Sequence, residues 1–109
     1  MKRIEKPWGY EIIWTETEHY VGKLLHIKAE HRLSKQYHEI KEETVYVLNG
    51  LLYNWDKDDV PTTYPPGTSI HIPPQQVHRF GAKEKPVELI EVSTPHLSDV
   101  VRLDDDYSR

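Results

Sequence analysis

The stretch QYHEIKEETVYVLNG, residues 36–50, joins a polar segment with one histidine to an apolar run that ends in Asn-Gly. The run TVYVLNG is rich in β-branched and aromatic residues, which is typical of a strand. Residues two apart on a strand point to the same side, so Gln36 and His38 can converge on one point. A turn within EIKEE could return Glu43 to that point. The segment is therefore either an ordinary strand behind a charged approach or part of a metal site carried on a strand.

Most of the remaining sequence follows the same period of two. Runs of aromatic and branched residues alternate with turn formers, and the prolines fall almost entirely between the runs. The predicted strands are residues 10–14, 20–29, 44–50, 51–55, 68–73, 77–80 and 87–92. Asn49-Gly50, between two of them, is a hairpin signal. This pattern predicts an all-β sandwich or barrel-like double sheet, and the tail from His96 is either a short helical turn or an extended arm.

Length and composition narrow the class of protein. A chain of 109 residues predicts one domain, residues 1–109, and a net charge of −4 argues against nucleic-acid binding. The charged N-terminus predicts no signal peptide, and the lack of a long apolar run predicts no contact with a membrane. We therefore expect a cytoplasmic protein. Cysteine is absent, so any metal must be bound by histidine, carboxylate or amide oxygen.

Of the seven histidines, His38 and His78 are the best candidates for metal ligands, because of the residues around them. His78 follows the turn IPPQQV and can reach His38 only through the fold. An amide oxygen, a carboxylate and two imidazoles suit a first-row divalent metal. The alternative is that the glutamates at 39, 42 and 43 form a solvated charged face, with the histidines at the surface.

Two sets of residues resemble the two signatures of the cupin superfamily. They are His38, Glu43 and Gly50, and Gly67, Pro73 and His78. Gln36 stands where the first signature has a histidine, and Gln75 where the second has a glycine. Within the cupins, the chain resembles the C-terminal domain of type II phosphomannose isomerases. The segments that carry this likeness are KPWGYE (6–11), RLSKQYH (32–38), IPPQQVHRF (72–80), IEV (90–92) and DVVRLDDDYSR (99–109).

This resemblance implies a cupin-type jelly-roll β-barrel, or double-stranded β-helix, with a short C-terminal arm. It also implies one divalent metal ion, usually zinc, with manganese, iron, cobalt or nickel as alternatives. The matching ligand positions are Gln36, His38, Glu43 and His78. The implied reaction is the aldose–ketose isomerisation of mannose 6-phosphate through a cis-enediol, with phosphate contacts at Arg32, Lys41, Arg102 and Arg109. Glu91 and His71 are the candidates for the base that moves the proton.

One stretch departs from the isomerases. Where they carry HHHRAEHW, this chain reads HEIKEETV at residues 38–45. The ligand positions remain, but neighbouring histidines and an arginine are replaced. Two alternatives to the isomerase therefore stay open: a metal cupin with other small-molecule chemistry, and a non-catalytic cupin that binds a sugar or sugar nucleotide. We also expect a homodimer, because small jelly rolls have exposed sheet edges to cover.

Overall fold

The computed structural model describes residues 1–107, which form eleven β-strands and no helix. In chain order the strands are β1 (Lys2–Lys6), β2 (Gly9–Glu16), β3 (Val21–Ile27), β4 (Lys35–Tyr37), β5 (Glu43–Asn49), β6 (Leu52–Trp55), β7 (Pro61–Tyr64), β8 (Ser69–Ile72), β9 (Arg79–Gly81), β10 (Val87–Ser93) and β11 (Val101–Asp104). Within these residues no helix could cross a membrane. The prediction of an all-β protein is confirmed.

The strands form two facing layers of antiparallel sheet. The larger layer has six strands in the order β1-β2-β3-β10-β5-β8. The other layer combines the sheets β7-β6-β9 and β11-β4, which isolated bridges connect at Arg32–Gly81 and Gln36–His78. Apolar residues from both layers, among them Val47, Leu52 and Phe80, pack between them.

The inward-facing residues change character along three neighbouring strands of the large sheet. At one end of β3, β10 and β5 they are apolar and belong to the core: Leu25, Ile27, Val45, Val47, Val87 and Leu89. Towards the other end they are charged but still buried: Lys23, Glu43 and Glu91. Lys23 pairs across the strands with Glu91, just as Leu25 pairs with Leu89. The barrel therefore has an apolar end and a charged end, and the candidate site lies at the charged end.

The hairpin prediction at Asn49-Gly50 is wrong. β5 pairs with β10 and β8, whereas β6 pairs with β7 and β9, so the turn carries the chain from one layer to the other. Gly50 has a φ of 84°, and a Cβ there would lie 2.3 Å from the carbonyl oxygen of Pro86. Glycine is thus required by a crossing at the end of the barrel rather than by a tight hairpin.

The C-terminal tail is an extended arm, as one of the two alternatives predicted. Its strand β11 pairs with β4, and Arg79 fastens it from inside the second layer. The buried guanidinium of Arg79 donates hydrogen bonds to the carbonyl oxygen of Leu33 at 2.9 Å and to Asp104 and Asp106 at 3.0 Å each. The acidic residues of the DVVRLDDDYSR segment therefore bind the arm to the barrel.

Candidate metal centre

Three buried side chains meet at the charged end of the barrel. His38 follows β4, Glu43 begins β5 and His78 precedes β9. Glu43 Oε1 lies 3.1 Å from His38 Nε2 and 3.3 Å from His78 Nε2. One potential ligand atom from each residue lies within 4.8 Å of the others, and each residue is at most 3% exposed. The loop at 39–42 returns the chain so that Glu43 reaches His38, as the sequence predicted.

The orientation of the two imidazoles suits a cation. His38 Nδ1 lies 2.6 Å from the carbonyl oxygen of Asp99, and His78 Nδ1 lies 3.0 Å from that of Gln76. A carbonyl only accepts, so Nδ1 carries the proton and Nε2 of a neutral ring presents its lone pair. Both lone pairs then face the carboxylate of Glu43, and His78 Nε2 is buried without a hydrogen-bond partner. A bound cation would satisfy all three acceptors, so these residues fit the metal that the sequence implied.

Gln36 lies beside this group. Its backbone N–H donates to the carbonyl oxygen of His78 at 3.0 Å and its carbonyl accepts from His78 N–H at 2.9 Å. The side-chain oxygen Oε1 accepts a hydrogen bond from Ser34 at 2.8 Å. Gln36 and His38 line the same cavity, as their spacing on a strand predicted.

A buried ion pair adjoins the histidine–glutamate group. Lys41 Nζ lies 3.3 Å from Glu91 Oε2 and 3.8 Å from Glu43 Oε2. Burial, followed by the charge of Glu43, raises the pKa of Glu91 to about 8, against the opposing effect of Lys41. Burial alone would lower the pKa of Lys41, but the carboxylates of Glu91 and Glu43 outweigh it and raise that pKa. Lys41 is therefore a fixed cation, whereas Glu91 is poised to hold or release a proton.

Glu43 behaves in the opposite way to Glu91. Burial by itself would raise the pKa of Glu43, but its close contacts with the imidazoles of His38 and His78 and the charge of Lys41 hold that pKa well below its ordinary range. The pKa values of the two carboxyl groups in this cavity therefore shift in opposite directions, so that Glu43 stays ionised and Glu91 is readily protonated.

Asp99 fixes the loop that carries His38 and Lys41. Its carboxylate accepts hydrogen bonds from the backbone N–H groups of Glu39 at 3.1 Å and of Ile40 and Lys41 at 2.8 Å each. Its own carbonyl oxygen accepts the bond from His38. These backbone hydrogen bonds, above all that from Lys41, lower the pKa of Asp99 to about 2.

We expect Asp99→Asn to change how stability depends on acid. The pKa of Asp99 is lower in the folded chain than in the unfolded chain, so its stabilising effect is complete above about pH 4 and disappears as the pH falls towards 2. The free energy of unfolding, measured with urea across this range, should fall less steeply for Asp99→Asn than for the wild type. Asp58→Asn, at an exposed position, is the control and should follow the wild type. Parallel curves for Asp99→Asn and the wild type would contradict the prediction.

Of the arginines predicted to contact phosphate, the structure places Arg102 at the cavity and Arg32 outside it. Arg102 lines the cavity together with Lys41 and Glu91. Arg32 instead points outside the cavity, where it binds Asp106 through two hydrogen bonds of 2.6 and 3.0 Å. Its carbon Cζ also lies 5.5 Å from the ring of Trp55.

His71 is likewise not brought to the cavity. Its exposed ring lies 2.6 Å from Glu42 on the outer side of the large sheet. Of the two candidate bases, only Glu91 faces the metal group. Arg109 lies outside the residues that the structure describes.

Sequence reasoning missed one part of the cavity wall. Lys6, Trp8, Glu11 and Lys23 line the same cavity of about 110 Å³. The signal for Lys23 was present, because it alternates in phase with Leu25 and would share its buried face. Charge on a strand is usually solvated, so the pattern favoured a surface position.

Comparisons with known proteins agree with this fold. A cupin-like protein from Thermotoga maritima superposes with a TM-score of 0.79 at 17% identity, covering 91% of this chain and 78% of that one. The polyketide cyclase RemF from Streptomyces resistomycificus gives 0.80 at 17% identity, with 90% and 72% covered. A cupin from Silicibacter pomeroyi described as a sugar phosphate isomerase gives 0.70 at 18% identity, with 78% and 58% covered. A search of curated protein sequences gave no match.

The fold is that of the cupins, and its buried His/Glu/His group is a candidate metal site. At such low identities the solved structures show the fold alone. The family is shown by the sequence model for the mannose-6-phosphate isomerase C-terminal family, which matches residues 1–105. This chain belongs to that family.

Proposed function

We propose that this chain is a metal-dependent isomerase of sugar phosphates, of the mannose-6-phosphate isomerase type. One observation carries the proposal: His38 and Glu43 of the buried His/Glu/His group line the same cavity as Glu91, a carboxyl group poised to exchange a proton. Membership of the mannose-6-phosphate isomerase C-terminal family supports the same reaction class.

The proposed metal ligands are His38, Glu43 and His78, with Gln36 as a fourth. We propose zinc as the ion, because nitrogen and carboxylate ligands in a four-residue set are typical of it. When bound, a divalent cation supplies positive charge that stabilises the enediolate formed during aldose–ketose isomerisation. Glu43 would be the only formal negative charge among these ligands, so much of the charge of the cation would remain available.

Glu91 is the proposed base that moves the proton between C1 and C2 of the sugar. It is buried, lies in the wall of the cavity and is held 3.3 Å from Lys41. Lys41 orients the carboxyl group and supplies positive charge beside it. The barrel shields Glu91 from bulk water, so a proton taken from one carbon can return to the next.

The test is conversion of mannose 6-phosphate to fructose 6-phosphate by metal-loaded protein. We expect turnover in the wild type and a loss of about 100-fold or more in kcat for Glu91→Gln, with metal content unchanged. Glu88→Gln is the matched control, because Glu88 lies on the same strand, faces outward and binds His26. Absence of turnover with every sugar phosphate tried would contradict the proposal.

A second candidate is a cupin that binds an anionic sugar without isomerising it. The replaced residues of the HEIKEETV stretch favour it, since Ile40, where the isomerases have a histidine, is exposed to solvent. A third is other small-molecule chemistry on this metal site, as the same fold carries a polyketide cyclase. Tight binding of mannose 6-phosphate without turnover would support the second candidate.

We further propose that a second copy of the chain covers the outer face of the large sheet. Ile12, Leu24, Ile90 and Tyr46 are successive cross-strand partners there, and beside them Val92 is 49% exposed. Six strands spaced about 4.8 Å apart make a face roughly 24 Å wide, close to what one side of a standard dimer interface needs. An apolar row of this kind can pair with itself about a two-fold axis.

Sedimentation equilibrium tests the dimer. The wild type should be dimeric and Tyr46→Glu monomeric, because a carboxylate would be buried without a partner. Leu103→Glu, an equally exposed apolar position on β11, should stay dimeric. A monomeric wild type would overturn this proposal.

A further inference from the structure

The N-terminal motif KPWGYE is not used by the proposed metal centre or by Glu91. Lys6 ends β1, Trp8 lies in the turn and Glu11 is in β2, and all three line the cavity. A Cβ on Gly9 would lie 1.9 Å from the carbonyl oxygen of His26, so only glycine lets this turn lie against β3. The carbonyl oxygen of Trp8 also accepts a hydrogen bond from Lys28 N–H at 2.8 Å, which anchors the turn. The motif is therefore built into the barrel wall.

Two lysines in this wall share one carboxylate. Lys23 Nζ lies 3.3 Å from Glu11 Oε2, and Lys6 Nζ lies 3.8 Å from Glu11 Oε1. The side chains of Lys23 and Glu11 are 11% and 10% exposed. An ammonium group that is mostly removed from water and only partly neutralised attracts an anion strongly. This part of the cavity wall therefore carries an excess of positive charge.

Trp8 lines the same cavity and has a buried donor that is not used within the described residues. It is 2% exposed, and its indole Nε1 has no hydrogen-bond partner. A buried donor without a partner destabilises the folded state, and such groups are rare in folded proteins. Together with the two ammonium groups, it makes a set of donors, and Glu11 is the one carboxylate within ion-pair distance of them among the residues that the structure describes. The missing component is an acceptor.

We propose that Lys6, Trp8 and Lys23 form a subsite, here called the KPWG subsite, that binds the phosphate group of the ligand in this cavity. A phosphate offers three oxygens as acceptors and a negative charge, which matches two ammonium groups and one N–H. The inference rests on the proposed function in one respect only, that the ligand is a sugar phosphate.

The position of the subsite supports this assignment. Across the large sheet, Lys23 lies on β3, Glu91 on the adjacent β10 and Glu43 on β5 beyond it. Two strand spacings separate Lys23 from Glu43 by roughly 10 Å, which is the scale of a hexose phosphate. A sugar whose phosphate is held at Lys23 would extend its reacting carbons past Glu91 towards the metal centre. The family resemblance implied Arg32 among the phosphate contacts, but that side chain binds Asp106 outside the cavity.

Calorimetry and NMR on the metal-loaded protein test the subsite. The calorimetric probes are mannose 6-phosphate and uncharged mannose, and the variants are Lys23→Met and Trp8→Phe. We expect Lys23→Met to weaken the affinity for mannose 6-phosphate by about tenfold or more, and to change that for mannose much less. In the NMR spectrum, inorganic phosphate should shift the indole N–H signal of Trp8.

Matched controls separate these effects from damage to the fold. Trp55→Phe and Lys35→Met change the same residue types outside the cavity and should bind as the wild type does. The double variant Glu11→Gln/Lys23→Met removes both charges of the ion pair and leaves no buried carboxylate unpaired. It can therefore test the subsite if Lys23→Met alone fails to fold. It should also lose affinity for the phosphate ester.

The outcomes distinguish this inference from the proposed function. If the wild type isomerises mannose 6-phosphate but Lys23→Met and Trp8→Phe bind it normally, the subsite is wrong and the function stands. If the variants lose affinity while the wild type shows no turnover, the subsite stands and the isomerase proposal falls. If neither phosphate nor mannose 6-phosphate binds the wild type, or if Arg32→Met loses the affinity instead, the subsite is overturned.

Discussion

Replacing Glu43 by glutamine should remove divalent-metal binding from the protein. The amide keeps the size of the side chain but removes the one negative charge among the proposed ligands, and it offers the metal a weaker oxygen. We expect the zinc affinity measured by calorimetry to fall by about 100-fold or more, because even changes beyond the ligands themselves cost 10–100-fold at such sites. The rise in unfolding temperature on adding zinc to the wild type should also disappear.

Glu39→Gln is the matched control for Glu43→Gln. Glu39 lies in the loop just before Glu43, but its side chain is exposed, and it should retain wild-type zinc affinity. Equal zinc binding by the wild type and Glu43→Gln would exclude this group as the metal centre. Loss of binding in Glu39→Gln as well would show that the loop, rather than the carboxylate at 43, controls affinity.

The second large effect should come from Arg79→Met, which removes the buried attachment of the C-terminal arm. Methionine fills part of the buried volume but makes none of the hydrogen bonds to Leu33, Asp104 and Asp106. Bonds to charged groups contribute about 1.5–3 kcal/mol each, while the freed carboxylates regain water, so we expect a net loss of about 3 kcal/mol. For a domain of this size, that lowers the unfolding temperature by about 10–20 °C.

Arg3→Met provides the comparison. Arg3 also binds a carboxylate, that of Glu5 at 3.1 Å, but both side chains are exposed, and such pairs contribute little to stability. Its unfolding temperature should stay within a few degrees of the wild type. If Arg79→Met were as stable as Arg3→Met, β11 pairing and the Arg32–Asp106 bonds would be enough to hold the arm without Arg79.

Much of the fold could be predicted because the central strands alternate strongly. The run TVYVLNG became most of β5 and VELIEV became most of β10, with Val45 and Val47 of the first and Val87 and Leu89 of the second facing the core. The same alternation placed Glu91 in phase with Leu89, and both are buried. The close approach of His38 and Glu43 also followed from the sequence, since five residues suffice for a turn between two strands.

Other features depend on tertiary contacts that no local pattern contains. β1, β7 and β11 are edge strands with mostly exposed residues, so they lack the alternation that reveals a strand. Arg79 sits in the recognised segment IPPQQVHRF, yet its partners Asp104 and Asp106 are 25 and 27 residues away. The buried position of Lys23 was also missed, because a charged residue within a strand is expected to face solvent unless a buried partner, here Glu11, is known.

Because the barrel has an apolar end and a charged end, amide hydrogen exchange should differ between the two ends of a single strand. In β3 and β10 the amides near Leu25 and Leu89 lie over the apolar core, whereas those near Lys23 and Glu91 lie over polar groups and the cavity. Local opening is less costly where fewer apolar contacts are lost, so amide hydrogen exchange should be faster at the second pair. A metal held by Glu43 would draw that end together. Zinc should then slow amide exchange near Lys23 and Glu91 and leave exchange near Leu25 and Leu89 unchanged. Exchange along one strand would thus measure the stability of the core at one end and metal binding at the other.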